Sequence, residues 1–266
     1  MNCIVITDLD GTLLDHDTYS FAEAMPALRR LKQLAVPVIP CTSKTRAETG
    51  YWMNRLDLDG PFVVENGGAV YVPRNMFPFP HDLVPAGEGW SRLELGASYA
   101  QLRSQLKAAA FESGCQVTGF GDWSVEEIAS ICDLPPDQAA MARQREFDEP
   151  FLIEDQQKAC LLLGAIERKG LCWSRGGRFY HIHGANDKAE AVKTLASWYR
   201  QWRPGVRVIG LGDGLNDASF LRETDTAILL PSPVIEELMR RIPGGIRAPE
   251  PGPRGWNEAL MRLLNH

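Results

Sequence analysis

Residues 8–12 read Asp8-Leu-Asp-Gly-Thr12, and they directly follow the apolar run Cys3-Ile-Val-Ile-Thr7. A short run of apolar and β-branched residues is typical of a strand buried on both faces, as in a parallel sheet. In open α/β sheets, ligands bind beyond the carboxyl ends of the strands. Two aspartates held at such an end repel each other unless a cation or a proton offsets their charge. The stretch therefore predicts a parallel sheet that carries a hard metal ion and a phosphate at one edge.

The residues that follow alternate between helix and strand patterns. The predicted elements are helix 21–34, strand 36–41, helix 46–56 and strand 61–64. The two strands end in polar stretches, Thr42-Ser-Lys-Thr45 and Glu65-Asn-Gly-Gly68. Short connections in such an alternation indicate a parallel sheet with right-handed crossovers. We expect a doubly wound, Rossmann-like α/β core.

The pattern changes after residue 82. A proline-rich stretch is followed by helices predicted at 98–112, 135–145 and 156–168, and by strands at 115–120, 150–153, 171–174 and 179–182. The capping box Ser124-Val-Glu-Glu127 predicts the start of a further helix. Arg175-Gly-Gly-Arg178 fits a hairpin turn between the last two strands. We therefore predict an inserted α/β cap domain with an antiparallel sheet, residues 83–182, between two parts of the core domain, residues 1–82 and 183–266.

The core pattern resumes at Asn186-Asp-Lys188, which opens a helix. A buried strand over 206–211 then leads into Gly212-Asp-Gly-Leu-Asn-Asp217. The carboxyl ends of parallel strands lie at the same edge of a sheet. We therefore expect this second acidic loop to meet the first around a single divalent ion.

Composition limits the classes of function. The chain has 266 residues and a formal net charge of −6, so nothing favours a nucleic acid or an anionic membrane as partner. Its six cysteines are scattered, which is typical of reduced thiols in a cytoplasmic protein. The sequence shows neither a basic signal-peptide region nor an apolar run of about 20 residues.

These motifs, in this order, resemble the four motifs of the haloacid dehalogenase (HAD) phosphatase superfamily. A cap of this size between the second and third motifs resembles the Cof-type subgroup. Further segments are similar to mannosyl-3-phosphoglycerate phosphatases. These segments are Cys41-Thr-Ser-Lys-Thr45, Glu65-Asn-Gly-Gly68, Arg145-Glu-Phe-Asp-Glu-Pro-Phe151, Gly177-Arg-Phe-Tyr-His181 and Gly252-Pro-Arg-Gly-Trp256.

The resemblance implies a Mg²⁺-dependent phosphatase that forms an aspartyl-phosphate. Asp8 would be the nucleophile, while Asp10 would protonate the leaving oxygen and later take a proton from water. The implied metal ligands are Asp8, Asp10, Asp213 and Asp217. The implied phosphate-binding residues are Thr42, Ser43 and Lys188.

The resemblance also implies a phosphorylated sugar–glycerate substrate whose product is a compatible solute, and a monomer or homodimer. The candidate substrate-binding residues are Glu65, Asn66, Arg145, Glu154, Arg178, His181 and Asn216. Arg178 is the candidate for binding the glycerate carboxylate, because a guanidinium suits a planar anion.

Other interpretations remain open at this point. Thr42 and Ser43 fit helix caps, and Arg178 fits a solvated turn. His181 and His183 share a strand face, as two zinc ligands would. A phosphatase for another sugar phosphate such as sucrose 6-phosphate, a phosphotransferase or phosphomutase, and a non-catalytic binding module are the alternative functions.

Overall fold

The computed structural model describes residues 2–79, 82–87, 89–176 and 178–264. Gly177 of the predicted hairpin turn lies outside these ranges. The strands are β1 Cys3–Thr7, β2 Val38–Pro40, β3 Phe62–Val64, β4 Ala69–Pro73, β5 Val84–Pro85, β6 Trp90–Glu94, β7 Val117–Gly119, β8 Asp148–Ile153, β9 Cys172–Gly176, β10 Phe179–His183, β11 Arg207–Gly212, β12 Thr226–Leu229 and β13 Ile246–Arg247. The helices are α1 Met25–Gln33, α2 Arg46–Leu56, α3 Tyr99–Ser113, α4 Val125–Cys132, α5 Pro136–Ala142, α6 Ala159–Arg168, α7 Lys188–Trp202, α8 Ala218–Leu221, α9 Ile235–Arg241 and α10 Gly252–Leu264.

The core sheet is parallel, with the strand order β13-β12-β11-β1-β2. Successive residues of β1 point to opposite faces of the sheet. Val5 therefore packs in the cluster that contains α1 and α10, whereas Ile4 and Ile6 pack in the cluster that contains α7. Helices thus cover both faces, which confirms the predicted doubly wound α/β core.

The position of β1 and β11 determines where the site lies. The chain leaves β1 toward β2 on one side of the sheet, and β12 and β13 extend it on the other. Thr7 pairs with Leu211, so Asp8 and Gly212 follow side by side. Ligands bind at such a switch in strand order.

Two further sheets have antiparallel pairing, and the first of them is the antiparallel sheet predicted for the cap. One has the order β7-β8-β10-β9, with α3 and α6 packed on one of its faces. The other has the order β3-β4-β6-β5. Because β6 hydrogen-bonds to β4 across the predicted boundary at 82/83, we propose that the inserted cap starts after residue 94.

Some predicted elements differ from the observed ones. The helix predicted over 21–34 is a 3₁₀ turn, Ala22–Ala24, followed by α1, whose first turn carries Pro26. The helix predicted to reach Arg145 ends at Ala142. No helix within the described ranges is long and apolar enough to cross a membrane.

Candidate active site

The centre of the site is the ammonium group of Lys188, the first residue of α7. Its Nζ donates a hydrogen bond to Oδ1 of Asp8 at 2.7 Å and another to Oδ1 of Asp217 at 2.7 Å. Lys188 and Asp217 are each only 1% exposed. A lysine ammonium has three N–H donors, so one remains for a phosphoryl oxygen.

Asp213 completes the acidic cluster from the end of β11. Its Oδ1 accepts a hydrogen bond of 2.8 Å from the hydroxyl of Thr12, which joins the two acidic loops across the sheet edge. Gly11, in the first of these loops, has a φ of +74°, and a Cβ at this position would lie 2.5 Å from Oδ2 of Asp213. Only glycine allows this approach.

Burial dominates the electrostatics of this cluster. Burial raises the pKa of Asp8 well above its usual value, against the opposing effect of Lys188. Burial and the carboxylate of Asp217 likewise raise the pKa of Asp213 to about 6. Burial alone would lower the pKa of Lys188, but Asp217 and Asp8 outweigh it and raise that pKa above its usual value.

The cluster fits a divalent cation. Asp8, Asp213 and Asp217 each offer one carboxylate oxygen, and these three atoms lie within 4.8 Å of one another. Three carboxylates against one ammonium leave an excess of negative charge in a buried place. A set of oxygen ligands with excess negative charge suits a hard cation such as Mg²⁺.

Thr42 lies beside this cluster, after β2. It is 1% exposed, and its Oγ1 accepts a hydrogen bond of 3.2 Å from the backbone N–H of Lys44. The cap of α2 is Thr45, in a capping box with Glu48, so neither Thr42 nor Ser43 has that role. The Thr42 hydroxyl hydrogen therefore remains available to a phosphoryl oxygen.

Lys44 forms an ion pair with Asp10, and this contact was not predicted from the sequence. Its Nζ lies 2.9 Å from Oδ2 of Asp10 and 5.1 Å from the centre of the Tyr19 ring. Oδ1 of Asp10 is buried and has no hydrogen-bond partner in the part of the chain that the structure describes. One oxygen of Asp10 is thus held while the other is left for a reacting group.

The turn after β3 lies against the same loops. The carboxylate of Glu65 is 1% exposed and accepts hydrogen bonds from the backbone N–H groups of Glu146 and Phe147. Burial raises the pKa of Glu65 to about 7. Oδ1 of Asn66 accepts a hydrogen bond of 3.3 Å from Nδ2 of Asn216. Of the three candidate substrate residues here, Glu65 is therefore occupied by protein partners.

Two arginines of the cap, Arg145 and Arg178, are candidates for binding the substrate carboxylate. Nη1 of Arg145 donates to the carbonyl of Ser43 at 3.1 Å. Arg178 is exposed and donates to the carbonyl of Ile131 in the last turn of α4. Both guanidinium groups interact electrostatically with Cys132, whose thiol pKa is raised by burial. Arg178 therefore lies within electrostatic range of Cys132, as Arg145 does, and its observed hydrogen-bond partner is a helix end.

The face of the cap sheet opposite α3 and α6 carries a histidine–carboxylate pair, whose Asp148 is buried. Nδ1 of His181 lies 3.0 Å from Oδ1 of Asp148, and Nδ1 of His183 lies 2.8 Å from the carbonyl of Gly184. Burial opposes ionisation of Asp148, but His181 outweighs it and lowers the pKa of this carboxyl. Glu154 is exposed elsewhere on the cap, where it accepts a hydrogen bond from Thr118.

The sequence analysis missed Lys44, Thr12 and Asp148 as site residues. Thr12 and Lys44 stand inside quoted motifs, so their positions after β1 and β2 were a usable signal. Asp148 lies opposite His183 in the pairing of β8 with β10, and such a pair shares one face of the sheet. That contact depends on strand register, which the sequence alone did not specify.

Comparison with known proteins gives the family. A sequence profile of haloacid dehalogenase-like hydrolases matches residues 5–82. A glucosyl-3-phosphoglycerate/mannosyl-3-phosphoglycerate phosphatase of Methanococcoides burtonii is 40% identical over 273 aligned residues, which cover 99% of this chain and 98% of that protein. A mannosyl-3-phosphoglycerate phosphatase of Pyrococcus furiosus is 35% identical over 230 residues, which cover 85% of this chain and 90% of that protein.

A solved structure shows the same fold. A phosphatase of the haloalkanoate (HAD) enzyme superfamily from Bacteroides thetaiotaomicron matches with a TM-score of 0.66 at 19% identity, over 98% of this chain and 95% of the other. The resemblance inferred from the motifs is thereby confirmed. This chain is a phosphoric monoester hydrolase of the HAD superfamily, and it belongs to the family of glucosyl-3-phosphoglycerate/mannosyl-3-phosphoglycerate phosphatases.

Proposed function

We propose that this protein hydrolyses glucosyl-3-phosphoglycerate or mannosyl-3-phosphoglycerate, with Mg²⁺, to the glycosylglycerate and inorganic phosphate. The observation that carries the chemistry is the cluster of the Asp8, Asp213 and Asp217 carboxylates, two of which accept from the Lys188 ammonium. The substrate class is supported by the relatives that match nearly the whole chain and are named for these two esters.

Asp8 attacks the phosphorus atom. A new bond forms between its carboxylate oxygen and phosphorus, and the bond from phosphorus to the glycerate oxygen breaks. Lys188 holds Asp8 in place and directs a remaining N–H toward the phosphoryl group. Water then attacks the aspartyl-phosphate, which releases phosphate and restores the Asp8 carboxylate.

Asp10 moves the proton. Its unpartnered Oδ1 gives a proton to the leaving glycerate oxygen and takes one from the attacking water in the second step. Lys44 fixes the other oxygen, Oδ2, at 2.9 Å.

Mg²⁺ would be held by Asp8, Asp213 and Asp217, with the Asp10 backbone carbonyl as a further ligand. When bound, the ion would neutralise negative charge on the phosphoryl oxygens and on these carboxylates.

The cap supplies groups for the rest of the substrate. The glycerate carboxylate needs a cation, and the candidates in the cap are Arg178 and Arg145, which donates to the carbonyl of Ser43. Asp148 orients His181 through Nδ1, which leaves Nε2 for a sugar hydroxyl.

The test is a set of kcat/KM values with Mg²⁺. The panel contains glucosyl- and mannosyl-3-phosphoglycerate, 3-phosphoglycerate, glucose 6-phosphate and sucrose 6-phosphate. We expect the two glycosylated phosphoglycerates to exceed the others by at least about tenfold, because both the sugar and the carboxylate are bound. A preference for a hexose phosphate or for sucrose 6-phosphate would contradict the proposed substrate.

The same assay separates hydrolysis from phosphoryl transfer. Inorganic phosphate should appear in equal amount to the glycosylglycerate without any added acceptor. A requirement for a sugar acceptor would instead indicate a phosphotransferase or a phosphomutase.

A further inference from the structure

The turn at residues 65–68 has an unusual backbone. Glu65 and Asn66 have φ values of +48° and +54°, the left-handed region that residues with side chains rarely adopt. Gly67 follows, and a Cβ there would lie 2.0 Å from the carbonyl oxygen of Asp187. Such strained conformations persist where the surroundings determine them, and they are found at functional sites.

The backbone of this turn is hydrogen-bonded to the core. The backbone N–H of Glu65 donates to the carbonyl of Lys44 at 3.0 Å, and that of Asn66 donates to the carbonyl of Thr42 at 3.0 Å. The close approach of Gly67 to Asp187 places the turn beside the start of α7, where Lys188 lies. The turn therefore contacts Thr42 and Lys44, in the loop after β2, and the start of α7, which carries Lys188.

The side chain of Glu65, in the same turn, is hydrogen-bonded to the cap. The Glu65 carboxylate accepts from the N–H of Glu146 at 3.0 and 3.2 Å and from the N–H of Phe147 at 2.8 Å. At 1% exposure it presents almost no surface to a substrate. A buried N–H that loses its acceptor carries a large free-energy cost, so these contacts favour one position of the cap segment.

Residues 141–147, which we call the docking segment, make further contacts with core loops. Thr45 donates from Oγ1 to the carbonyl of Met141 at 3.0 Å, and Arg145 donates to the carbonyl of Ser43 at 3.1 Å. The Glu146 carboxylate accepts from the hydroxyl of Tyr71 at 2.9 Å. Glu65 adds a buried carboxylate to these contacts between the docking segment and the core.

We propose that Glu65 is a positioning residue that docks the cap on the core by binding the docking segment, and that it does not itself bind substrate. The consequence is that cap groups such as Arg145 reach the substrate only while Glu65 holds the segment. This inference rests on the proposed function for its kinetic readout but not for its structural one.

The experiment compares wild type with Glu65→Gln. A glutamine replaces one of the two carboxylate oxygens with an NH₂ donor, which faces an N–H of the docking segment whichever way the amide is oriented. We expect hydrogen–deuterium exchange of the amides at 145–147 to rise by about tenfold or more in the protein without substrate. We also expect KM for glucosyl-3-phosphoglycerate to rise by about tenfold, while kcat/KM for p-nitrophenyl phosphate, which is too small to need the cap, changes by less than about threefold.

The matched control is Glu149→Gln. Glu149 is also a buried carboxylate that accepts a backbone N–H, from Gly121 at 3.1 Å, but its partners all belong to the cap. This variant should leave exchange at 145–147 and the ratio between the two substrates unchanged. Glu65→Asp, which keeps the charge and shortens the side chain, should give a smaller change of the same kind and serves as the test if Glu65→Gln does not fold.

Three results would overturn the proposal. Unchanged exchange at 145–147 with a raised KM would mean that Glu65 contacts the substrate. An equal loss on both substrates would mean that it acts on the phosphoryl chemistry. Unchanged exchange and unchanged kinetics would mean that it has neither role. If the wild type does not hydrolyse glycosylated phosphoglycerates, the proposed function fails, but the exchange result still decides the role of Glu65.

Discussion

Buried carboxylates occur in both the core and the cap, and the two groups differ in how their charge is satisfied. In the cap, Glu149 accepts from Arg103 at 2.7 Å, from the Tyr99 hydroxyl at 2.7 Å and from the N–H of Gly121 at 3.1 Å. In the core, the carboxylates of Asp8 and Asp217 share the Lys188 ammonium, and Asp217 also accepts from the backbone N–H groups of Asp213 and Gly214.

This difference separates a structural network from a catalytic one. Burial raises the pKa of Glu149 in the cap as it raises that of Asp213 in the core, so a shifted pKa alone does not distinguish them. What distinguishes them is the balance of charge, because the carboxylates of Asp8, Asp213 and Asp217 lie together beside the Lys188 ammonium. The cap network is satisfied by the protein itself, whereas the core cluster retains negative charge that an external cation and a phosphate ester can use.

The largest expected effect comes from Asp8→Asn. An amide is not a nucleophile toward phosphorus, so phosphate release should fall by about 10⁴-fold or more. The same change removes one of several repelling charges, so the temperature of unfolding should not fall. The measurements are phosphate release and thermal unfolding of the same preparation.

Glu149→Gln makes the same chemical change in the cap and should give the opposite result. It should lower the free energy of unfolding by about 1–3 kcal/mol, because a buried donor loses its acceptor. Turnover should stay within about threefold of wild type. Full activity in Asp8→Asn, or its loss in Glu149→Gln, would reverse the roles assigned to the two clusters.

The second prediction concerns Glu65, which joins the two regions. Burial raises its pKa from 4.5 to about 7, with Asp148 raising it further and Arg145 opposing. Between pH 4.5 and 7, Glu65 therefore keeps its proton in the folded state, whereas it has lost that proton in the unfolded chain. Stability from this group is greatest below pH 4.5 and is lost as the pH rises through 7. Between pH 5 and 8, the loss should be about 2–3 kcal/mol.

The measurement is the free energy of unfolding in urea at several pH values. Asp8 and Asp213 titrate in the same direction, so the informative quantity is the difference between wild type and Glu65→Gln. That difference should decrease with rising pH. A pH-independent difference would show that Glu65 is ionised throughout this range.

The third prediction is a cation effect limited to the core. If Mg²⁺ binds Asp8, Asp213 and Asp217, a concentration of 100 times Kd should stabilise the fold by about 2.7 kcal/mol, or about 5 °C in Tm. Asp213→Asn should largely remove this shift, whereas Glu149→Gln should retain it. A shift that survives Asp213→Asn would place the ion elsewhere.

Much of the core site could be predicted from the sequence. Asp8 and Asp213 each follow an apolar run, and parallel strands place their carboxyl ends at one edge whatever the intervening chain does. Short-range patterns also identified α2 and the capping box of α4 at Ser124 and Glu127. These features depend on local sequence and on one general rule of sheet geometry.

The cap contacts could not be predicted in this way. The helix after Pro135 ends at Ala142, and the released residues are the ones that dock on Glu65 and Ser43. These hydrogen-bond partners lie more than 80 residues apart in the chain, and they meet because a helix ends at a particular residue. Such a contact leaves no periodic pattern in the sequence. The roles predicted for Arg178 and Glu154 in substrate binding therefore stay predictions, whereas for Glu65 we propose docking of the cap in place of substrate binding. The observed partners of all three are protein groups.

The smallest expected effect tests the one core pair that resembles the cap network, Lys44 with Asp10. Its ionic contact of 2.9 Å satisfies one oxygen of Asp10 and leaves the other without a partner among the described residues. If Lys44 orients Asp10 for proton transfer, Lys44→Met should slow the hydrolysis of alkyl phosphates, whose leaving oxygen needs a proton. The expected loss is about tenfold for glucosyl-3-phosphoglycerate and less than about twofold for p-nitrophenyl phosphate, whose leaving group departs unprotonated. Lys44→Arg, which keeps the charge, should recover part of the difference. An equal loss on both esters would mean that Lys44 binds the phosphoryl group directly, and the pair would then belong with Lys188 and not with the satisfied carboxylates of the cap.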